Sequence, residues 1–328
     1  MPALDTAILI GSFEPLHVGH LAALTAALDA AKAVFVLIGS ARAARSTRHP
    51  WTAAQREDMI CACLDGAALA RVSIAPLRDR LYDDASWQEG LRETVARNVV
   101  AGRRVGLIAS DWSPAFPEWE PIAVAPVSVA SGAQLRERYL AGEALEPDVP
   151  AGARAVLARL RAGPDFAGLE AEYRSVQAHR RAWNVAPYPV ILVTVDAVVV
   201  QSGHLLLIRR GRQPGQGLWA LPGGFLDPDE TLLAGCLREL KEETGIKVAT
   251  SELLARLRDQ HVFDAPDRSV RGRTVTHAFY FELPPGPLPA VHGSDDAERA
   301  QWVPLARFLE MEEQVFEDHY HIVRLFIG

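Results

Sequence analysis

Cysteine is scarce in this chain: Cys61, Cys63 and Cys236 are the only three in 328 residues, and no two are spaced Cys-x-x-Cys. A disulfide framework and a thiolate zinc cluster are therefore not expected, and free thiols in a reducing, cytoplasmic setting are. No run of about 18 apolar residues occurs, and no basic segment followed by an apolar one opens the chain, so neither membrane spanning nor export is expected. Positive charge is short as well. The 34 Lys and Arg residues against 41 Asp and Glu leave a net charge of −7, which argues against nonspecific nucleic-acid binding. Internal repeats and low-complexity tracts are missing too. A hydrophobic content of 49% and a mean hydropathy of +0.03 suit a globular protein, and the length suits two cores of about 150 residues each.

The hydrophobic pattern changes character once along the chain. In the first half, apolar strands at Thr6 to Ile10, Val34 to Ile38, Val72 to Pro76, Val105 to Ala109 and Ile122 to Ala125 alternate with alanine-rich helices. This rhythm predicts an α/β domain with a doubly wound parallel sheet over residues 1–162, closed by a helix from Gly152 to Arg161. Residues 163–187 read as a proline-punctuated linker that carries its own helix, Leu169 to Ala182. A second domain, 188–328, opens with long strands, Val190 to Val200 and His204 to Arg209, and calls for a mixed sheet flanked by helices. An amphipathic helix from Glu312 to Phe326 is expected to close it.

The most specific pattern runs from Gly224 to Ile246 and matches G-x5-E-x7-R-E-U-x-E-E-x-G-U, with U aliphatic, at every position. Thr231 to Thr244 reads as a helix that Gly245 ends. Glu239, Glu242 and Glu243 then fall at i, i+3 and i+4 on one face. A Glu-rich helix is usually a solvated face, but three carboxylates so close repel unless cationic side chains interleave or a metal neutralises them. Hard oxygen ligands suit Mg²⁺ or Mn²⁺.

This stretch resembles the Nudix box, and the chain from about Tyr188 onward is similar to Nudix hydrolase domains. The resemblance implies that Glu239, Glu242 and Glu243 hold divalent metal on a pyrophosphate, that Arg238 orients a glutamate, and that Gly224 shapes the loop. One carboxylate of the set is expected to act as the base toward water, Glu243 or Glu242, and the sequence does not decide between them. Downstream, Pro266-Asp267-Arg268 and Arg271-Gly272-Arg273 resemble a segment of Nudix enzymes that hydrolyse ADP-ribose, so Arg268, Arg271 and Arg273 are candidate phosphate clamps. The strand-like Thr274 to Phe281 follows directly.

At the other end, Ile8-Leu9-Ile10-Gly11 runs into Ser12-Phe13-Glu14-Pro15-Leu16-His17-Val18-Gly19-His20. Strand, turn and helix N-terminus make a phosphate site. The H-x-G-H motif behind G-x-F-x-P resembles the nucleotidyltransferase superfamily. Joined to a Nudix domain, it makes the whole chain similar to bifunctional nicotinamide mononucleotide (NMN) adenylyltransferase/ADP-ribose pyrophosphatases. Ile38 to Ala41, Pro50-Trp51-Thr52 with Arg56, and Tyr82, Asp84 and Trp87 fit as well. The resemblance implies that Gly11 and Phe13 line the nucleotide site and that His17 and His20 bind a triphosphate. It further implies that Trp87 stacks on the nicotinamide ring and that Ser131 and Arg136 open a helix on ATP phosphates.

Several positions depart from that pattern. Ser12 stands in place of an arginine, Asp83 in place of an asparagine, Ala133 in place of a hydroxyl residue, and a lysine is missing near Ser110. Each removes a hydrogen bond worth about 0.5–3 kcal/mol. The expected function is adenylyl transfer from ATP to NMN together with Mg²⁺-dependent (or Mn²⁺-dependent) ADP-ribose hydrolysis, and domains of the second type are often homodimers. One rival keeps the hydrolase and makes the N-terminal half a nucleotide-binding module or a transferase for another substrate. A second is an ADP-ribose-sensing transcription regulator, for which a degraded box and a basic winged domain would be expected.

Overall fold

Parallel strands dominate the first half of the computed structural model, which describes residues 3–100, 102–108, 116–294 and 296–328. The chain divides into two compact units, residues 1–170 and 171–328. Unit 1 runs β1 (Leu4–Gly11), α1 (Val18–Ala30), β2 (Ala31–Ile38), α2 (Ala53–Cys61), the short α3 (Gly66–Leu69), β3 (Val72–Pro76), α4 (Asp84–Asn98), β4 (Val105–Ile108), β5 (Glu120–Pro121), α5 (Gly132–Ala141) and α6 (Ala151–Arg161). Its five strands are ordered β3-β2-β1-β4-β5 and all pairs are parallel. The order reverses between β1 and β4, the topological switch point at which ligands of doubly wound sheets bind. Ile8, Phe35, Leu37, Leu91 and Leu107 pack one face of the sheet.

The fifth strand is shorter than expected. Only Glu120–Pro121 pairs with β4, and Ile122 to Ala125 is not strand, although the Ile122 N–H still donates to Leu107 O. Three prolines, Pro117, Pro121 and Pro126, punctuate this stretch and limit the ladder. Ser110 and the departure read there lie outside the described residues.

Helix α7 (Phe166–Ala182) begins three residues before the helix expected in the linker, and the division between the units falls within it. Unit 2 continues with β6 (Leu192–Gln201), β7 (His204–Arg210), β8 (Trp219–Ala220), β9 (Gly223–Phe225), α8 (Leu232–Thr244), α9 (Thr250–Ala255), β10 (Leu257–Phe263), β11 (Thr274–Glu282), β12 (Ala297–Pro304), α10 (Leu305–Phe308) and α11 (His319–Ile327). The sheet is mixed: β6 pairs β11 in parallel, whereas β10 with β11 and β7 with β12 are antiparallel. Helix α8 lays Cys236, Leu237 and Leu240 on Val195, Ala197, Phe279 and Phe281. Truncating Leu240 to Ala in that core would cost about 2–5 kcal/mol.

The closing helix is also shorter than the amphipathic pattern suggested. Residues 312–314 form a 3₁₀ turn, and Glu317, at φ 44°, interrupts the pattern before α11 starts at His319. No helix among the described residues is long and apolar enough to cross a membrane.

Candidate active sites

In unit 1, the loops after β1 and β2 meet over a cavity of about 730 Å³ lined by Gly11, Ser12, His17, His20, Ser40 and Trp87 among others. His17 is the N-cap of α1: its Nδ1 accepts from the His20 N–H, and His20 Nδ1 accepts from the His17 N–H, both at 3.3 Å. With each Nδ1 an acceptor, the neutral rings carry their proton on Nε2, and those N–H groups are the donors left for a ligand. The rings stack at 3.7 Å. A Cβ on the intervening Gly19 would lie 3.0 Å from the His17 ring, so glycine permits the pairing. Burial, and then the neighbouring His17, push His20 down to about 3. Burial also lowers His17. Both imidazoles are therefore neutral donors near pH 7.

Phe13 is buried at φ 53° with its ring on His20, 4.8 Å between centroids, so it supports the histidine from behind. Trp87 is partly buried, packs against the sheet core and also faces the cavity. Ser131 caps α5 by accepting from the Gln134 N–H. Arg136 Nη1 donates to Glu14 O at 2.8 Å, which ties α5 to the motif loop. Asp83 caps α4 by accepting from the Ser86 N–H at 3.0 Å, a role that a carboxylate fills as well as an amide.

Arg56, in the sequence only one position of a pattern, has a larger part in the structure. It is 1% exposed, and its guanidinium donates to Ser12 O (2.9 Å), Gly39 O (2.7 Å) and Ser40 O (3.0 Å) beside Glu14 Oε1 at 3.4 Å. Those carbonyls follow β1 and β2 directly, and Ser40 holds φ 50°. One buried arginine thus fixes both cavity loops. Asp79, not singled out by any motif, accepts from the Ser40 N–H at 3.1 Å.

In unit 2, Arg238 is the hub of the box. It donates to Glu230 Oε1 (2.6 Å) and Oε2 (3.0 Å), Glu239 Oε1 (2.9 Å), Glu242 Oε2 (3.0 Å) and Phe225 O (3.3 Å). These carboxylates, Glu230 first, raise its pKa further above the ordinary arginine range. A Cβ on Gly224 would fall 2.4 Å from Glu239 Oε1. Glu243 is buried and accepts from the Gly223 N–H at 2.9 Å. Burial pushes its carboxyl up to about 8 and the charge of Glu239 adds to that, against the Gly223 hydrogen bond.

Among the described residues no three acidic or histidine side chains converge on one point as a metal cage. The donor set nonetheless fits a divalent cation: hard carboxylate oxygens share one helix face, and added positive charge there would offset the burial that disfavours the ionised form of Glu243.

The arginines of the downstream segment divide. Arg268 is 5% exposed and its Nε and Nη2 donate to Asp318, at 2.9 and 2.7 Å, so that edge of its guanidinium braces the fold. Arg273 donates to Asp264 O and staples its own loop. Arg271 lies over the Phe225 ring at 4.9 Å, beside the box loop.

A buried polar group that no sequence motif marks lies near them. Asp196, inside the apolar run of β6, accepts from Thr276 Oγ1, and burial raises its pKa. His319 Nδ1 accepts from the Leu221 N–H at 3.0 Å, and burial pushes it down to about 3. The signal for Asp196 was the lone charge in a strand otherwise uncharged.

Family models agree with this division. Residues 191–326 match the NUDIX domain and residues 8–105 match the Cytidylyltransferase-like family. The bifunctional NMN adenylyltransferase/ADP-ribose pyrophosphatase of Francisella tularensis, solved with AMP and a Mn ion, superposes with a TM-score of 0.93 at 34% identity, covering 99% of this chain and 98% of that one. The chain belongs to this bifunctional family. Two curated proteins are each similar to part of the chain. The nicotinamide/nicotinic acid mononucleotide adenylyltransferase of Acinetobacter baylyi is 28% identical over 53% of this chain and 96% of its own length. The ADP-ribose pyrophosphatase of Methanocaldococcus jannaschii is 33% identical over 39% of this chain and 72% of its own.

Proposed function

We propose that the chain transfers adenylyl from ATP to NMN in unit 1, giving NAD and pyrophosphate, and hydrolyses ADP-ribose to AMP and ribose 5-phosphate in unit 2. The single observation that carries this is full-length likeness to a bifunctional enzyme, with an H-x-G-H pair over a cavity in one unit and an intact carboxylate face in the other.

In the transferase, the NMN phosphate oxygen attacks the α-phosphorus of ATP, and the bond to the pyrophosphate oxygen breaks. The nucleophile is already ionised, so positioning and charge stabilisation supply the catalysis. Neutral His17 and His20 donate from Nε2, Arg136 adds charge, and Arg56 keeps the two loops in register.

In the hydrolase, Glu239, Glu242 and Glu243 would hold the divalent cation, for which we propose Mg²⁺ with Mn²⁺ as a substitute. When bound, it offsets pyrophosphate charge and lowers the pKa of water. Arg238 spaces and orients the carboxylates, Gly224 leaves Glu239 its room, and a carboxylate of the same face takes the proton of the attacking water. Arg271 offers its charge to the substrate phosphates.

Product analysis tests the proposal. The purified chain with Mg²⁺ receives ATP and NMN in one reaction and ADP-ribose in another, resolved by chromatography. NAD in the first and AMP in the second are expected; AMP without NAD would restrict the activity to unit 2.

A further inference from the structure

Helix α8 ends where two of the proposed metal ligands stand, and that end is closed by a segment that no motif marks. A helix leaves its final carbonyls without intrahelical donors. In α8 these are Lys241, Glu242, Glu243 and Thr244. Gly245, left-handed at φ 58°, donates its N–H to Lys241 O at 2.9 Å. Residues 292–294 take the other three. The His292 N–H donates to Thr244 O at 2.9 Å, the Ser294 N–H to Glu243 O at 3.3 Å, and the Ser294 Oγ to Glu242 O.

The segment is itself braced. A Cβ on Gly293 would lie 2.5 Å from Arg299 N and 2.6 Å from Arg299 Cα, so the backbone there rests directly on the start of β12. Ser294 O accepts from the Ala297 N–H at 3.0 Å, and Asp296 O accepts from the Gly211 N–H at 2.9 Å, just after β7. On the helix side, a Cβ on Gly245 would fall 2.1 Å from the His292 ring, so glycine serves both the turn and the packing. Through Ser294 and its neighbours the end of α8 is joined to two strands of the sheet.

The two carboxylates are set at their tips by other groups: the Gly223 N–H holds Glu243 Oε2 at 2.9 Å and Arg238 Nη1 holds Glu242 Oε2 at 3.0 Å. Ser294 sets the same two residues at their backbone. A binding constellation must be kept within about 0.5 Å of its working geometry by groups outside it. The last turn of a helix is where fraying starts, so two ligands placed there need such support most.

We propose that Ser294 is a positioning residue of the hydrolase: its hydroxyl and N–H hold the last turn of α8 so that Glu242 and Glu243 meet the cation together. In this role it touches neither the cation nor the substrate. The inference rests on the metal-dependent hydrolase reading and deepens it, adding a residue that lies outside the box, in the connection before β12. The hydroxyl is the part that a substitution can remove, because any residue but proline keeps the N–H that bonds Glu243 O.

The test uses the full chain with Ser294→Ala and Ser294→Thr. Electron paramagnetic resonance reads Mn²⁺ binding without nucleotide, with Glu242→Gln marking the binding that belongs to unit 2. Steady-state hydrolysis of ADP-ribose gives KM and the Mg²⁺ concentration for half-maximal rate, and denaturant unfolding gives stability. Ser294→Ala should weaken Mn²⁺ binding and raise the half-saturating Mg²⁺ about tenfold, the range for groups that orient metal ligands, with KM for ADP-ribose within about twofold. Ser294→Thr keeps the hydroxyl and should restore most of the loss. Parental Mn²⁺ affinity and Mg²⁺ dependence in Ser294→Ala overturn the positioning role, even where stability falls, because Ser294 is then a cap of the fold alone. Equal losses in the two variants overturn the part given to the hydroxyl. Mn²⁺ binding by the parent that Glu242→Gln leaves unchanged overturns the metal face and this proposal with it. A parent chain that leaves ADP-ribose intact defeats the substrate reading instead, and Mn²⁺ binding then still decides Ser294.

Discussion

Replacing Gly224 by alanine should separate catalysis from folding in unit 2. The new Cβ would stand 2.4 Å from Glu239 Oε1, 2.6 Å from its Cδ and 2.9 Å from Oε2, all below any real Cβ contact. What must move is the tip of a flexible side chain, and the backbone can stay. Glu239 then swings out and loses the 2.9 Å bond from Arg238, a charge-assisted hydrogen bond worth about 1.5–3 kcal/mol. Arg238 retains Glu230 and Glu242, and Glu239 gains water, so the net stability loss should sit at or below the lower end, about 1.5 kcal/mol. Catalysis has no such refuge. A carboxylate moved off the metal face is equivalent to a lost ligand, and a loss of about 3 kcal/mol in transition-state stabilisation corresponds to roughly 100-fold in rate. The assay is ADP-ribose turnover at saturating Mg²⁺, with denaturant unfolding for stability and NAD formation as internal control. Turnover within threefold of the parent would refute the steric argument, and an equal fall in both activities would show that the fold was damaged.

Other perturbations probe other parts of the account. Arg56→Lys cannot reach three carbonyls with one ammonium, so NAD formation should fall at least tenfold while ADP-ribose cleavage holds; an unchanged transferase kcat would remove Arg56 from its positioning role. Arg268→Met removes the bidentate ion pair to the buried Asp318 and should cost about 3–5 kcal/mol in denaturant unfolding of unit 2; a loss below 1 kcal/mol contradicts the bracing role. His319 titrates near 3 in the folded chain against an ordinary 6.5, so the unfolded chain binds the extra proton between those values. Its share of stability is complete above pH 6.5 and is lost as pH falls toward 3. His319→Gln should flatten that acid limb of a stability-pH curve, and an unchanged slope counts against the assignment.

The box helix was legible because its pattern is set by chemistry at fixed offsets, and α8 starts and stops where Thr231 caps it and Gly245 turns left-handed at φ 58°. The H-x-G-H turn was legible for the same reason. What escaped was decided by partners distant in sequence. Arg268 reads only as a clamp in the sequence, where nothing shows that Asp318, fifty residues on, takes its Nε and Nη2. Asp196 hides in a β-run because only the fold brings Thr276 to it. Arg56 acts through backbone carbonyls of other loops, which leave no mark in a side-chain motif. The closing helix was overextended because amphipathic spacing continues through Glu317, whose left-handed backbone breaks the helix there.

The central claim is two independent chemistries in one chain, and a crossed pair of variants tests it most directly. His20→Ala and Glu242→Gln should each be assayed for both NAD formation and ADP-ribose hydrolysis with Mg²⁺ present. The account predicts that His20→Ala loses the first and keeps the second, and that Glu242→Gln lowers the second by orders of magnitude and keeps the first. Loss of both activities in either variant, or of neither, would contradict it.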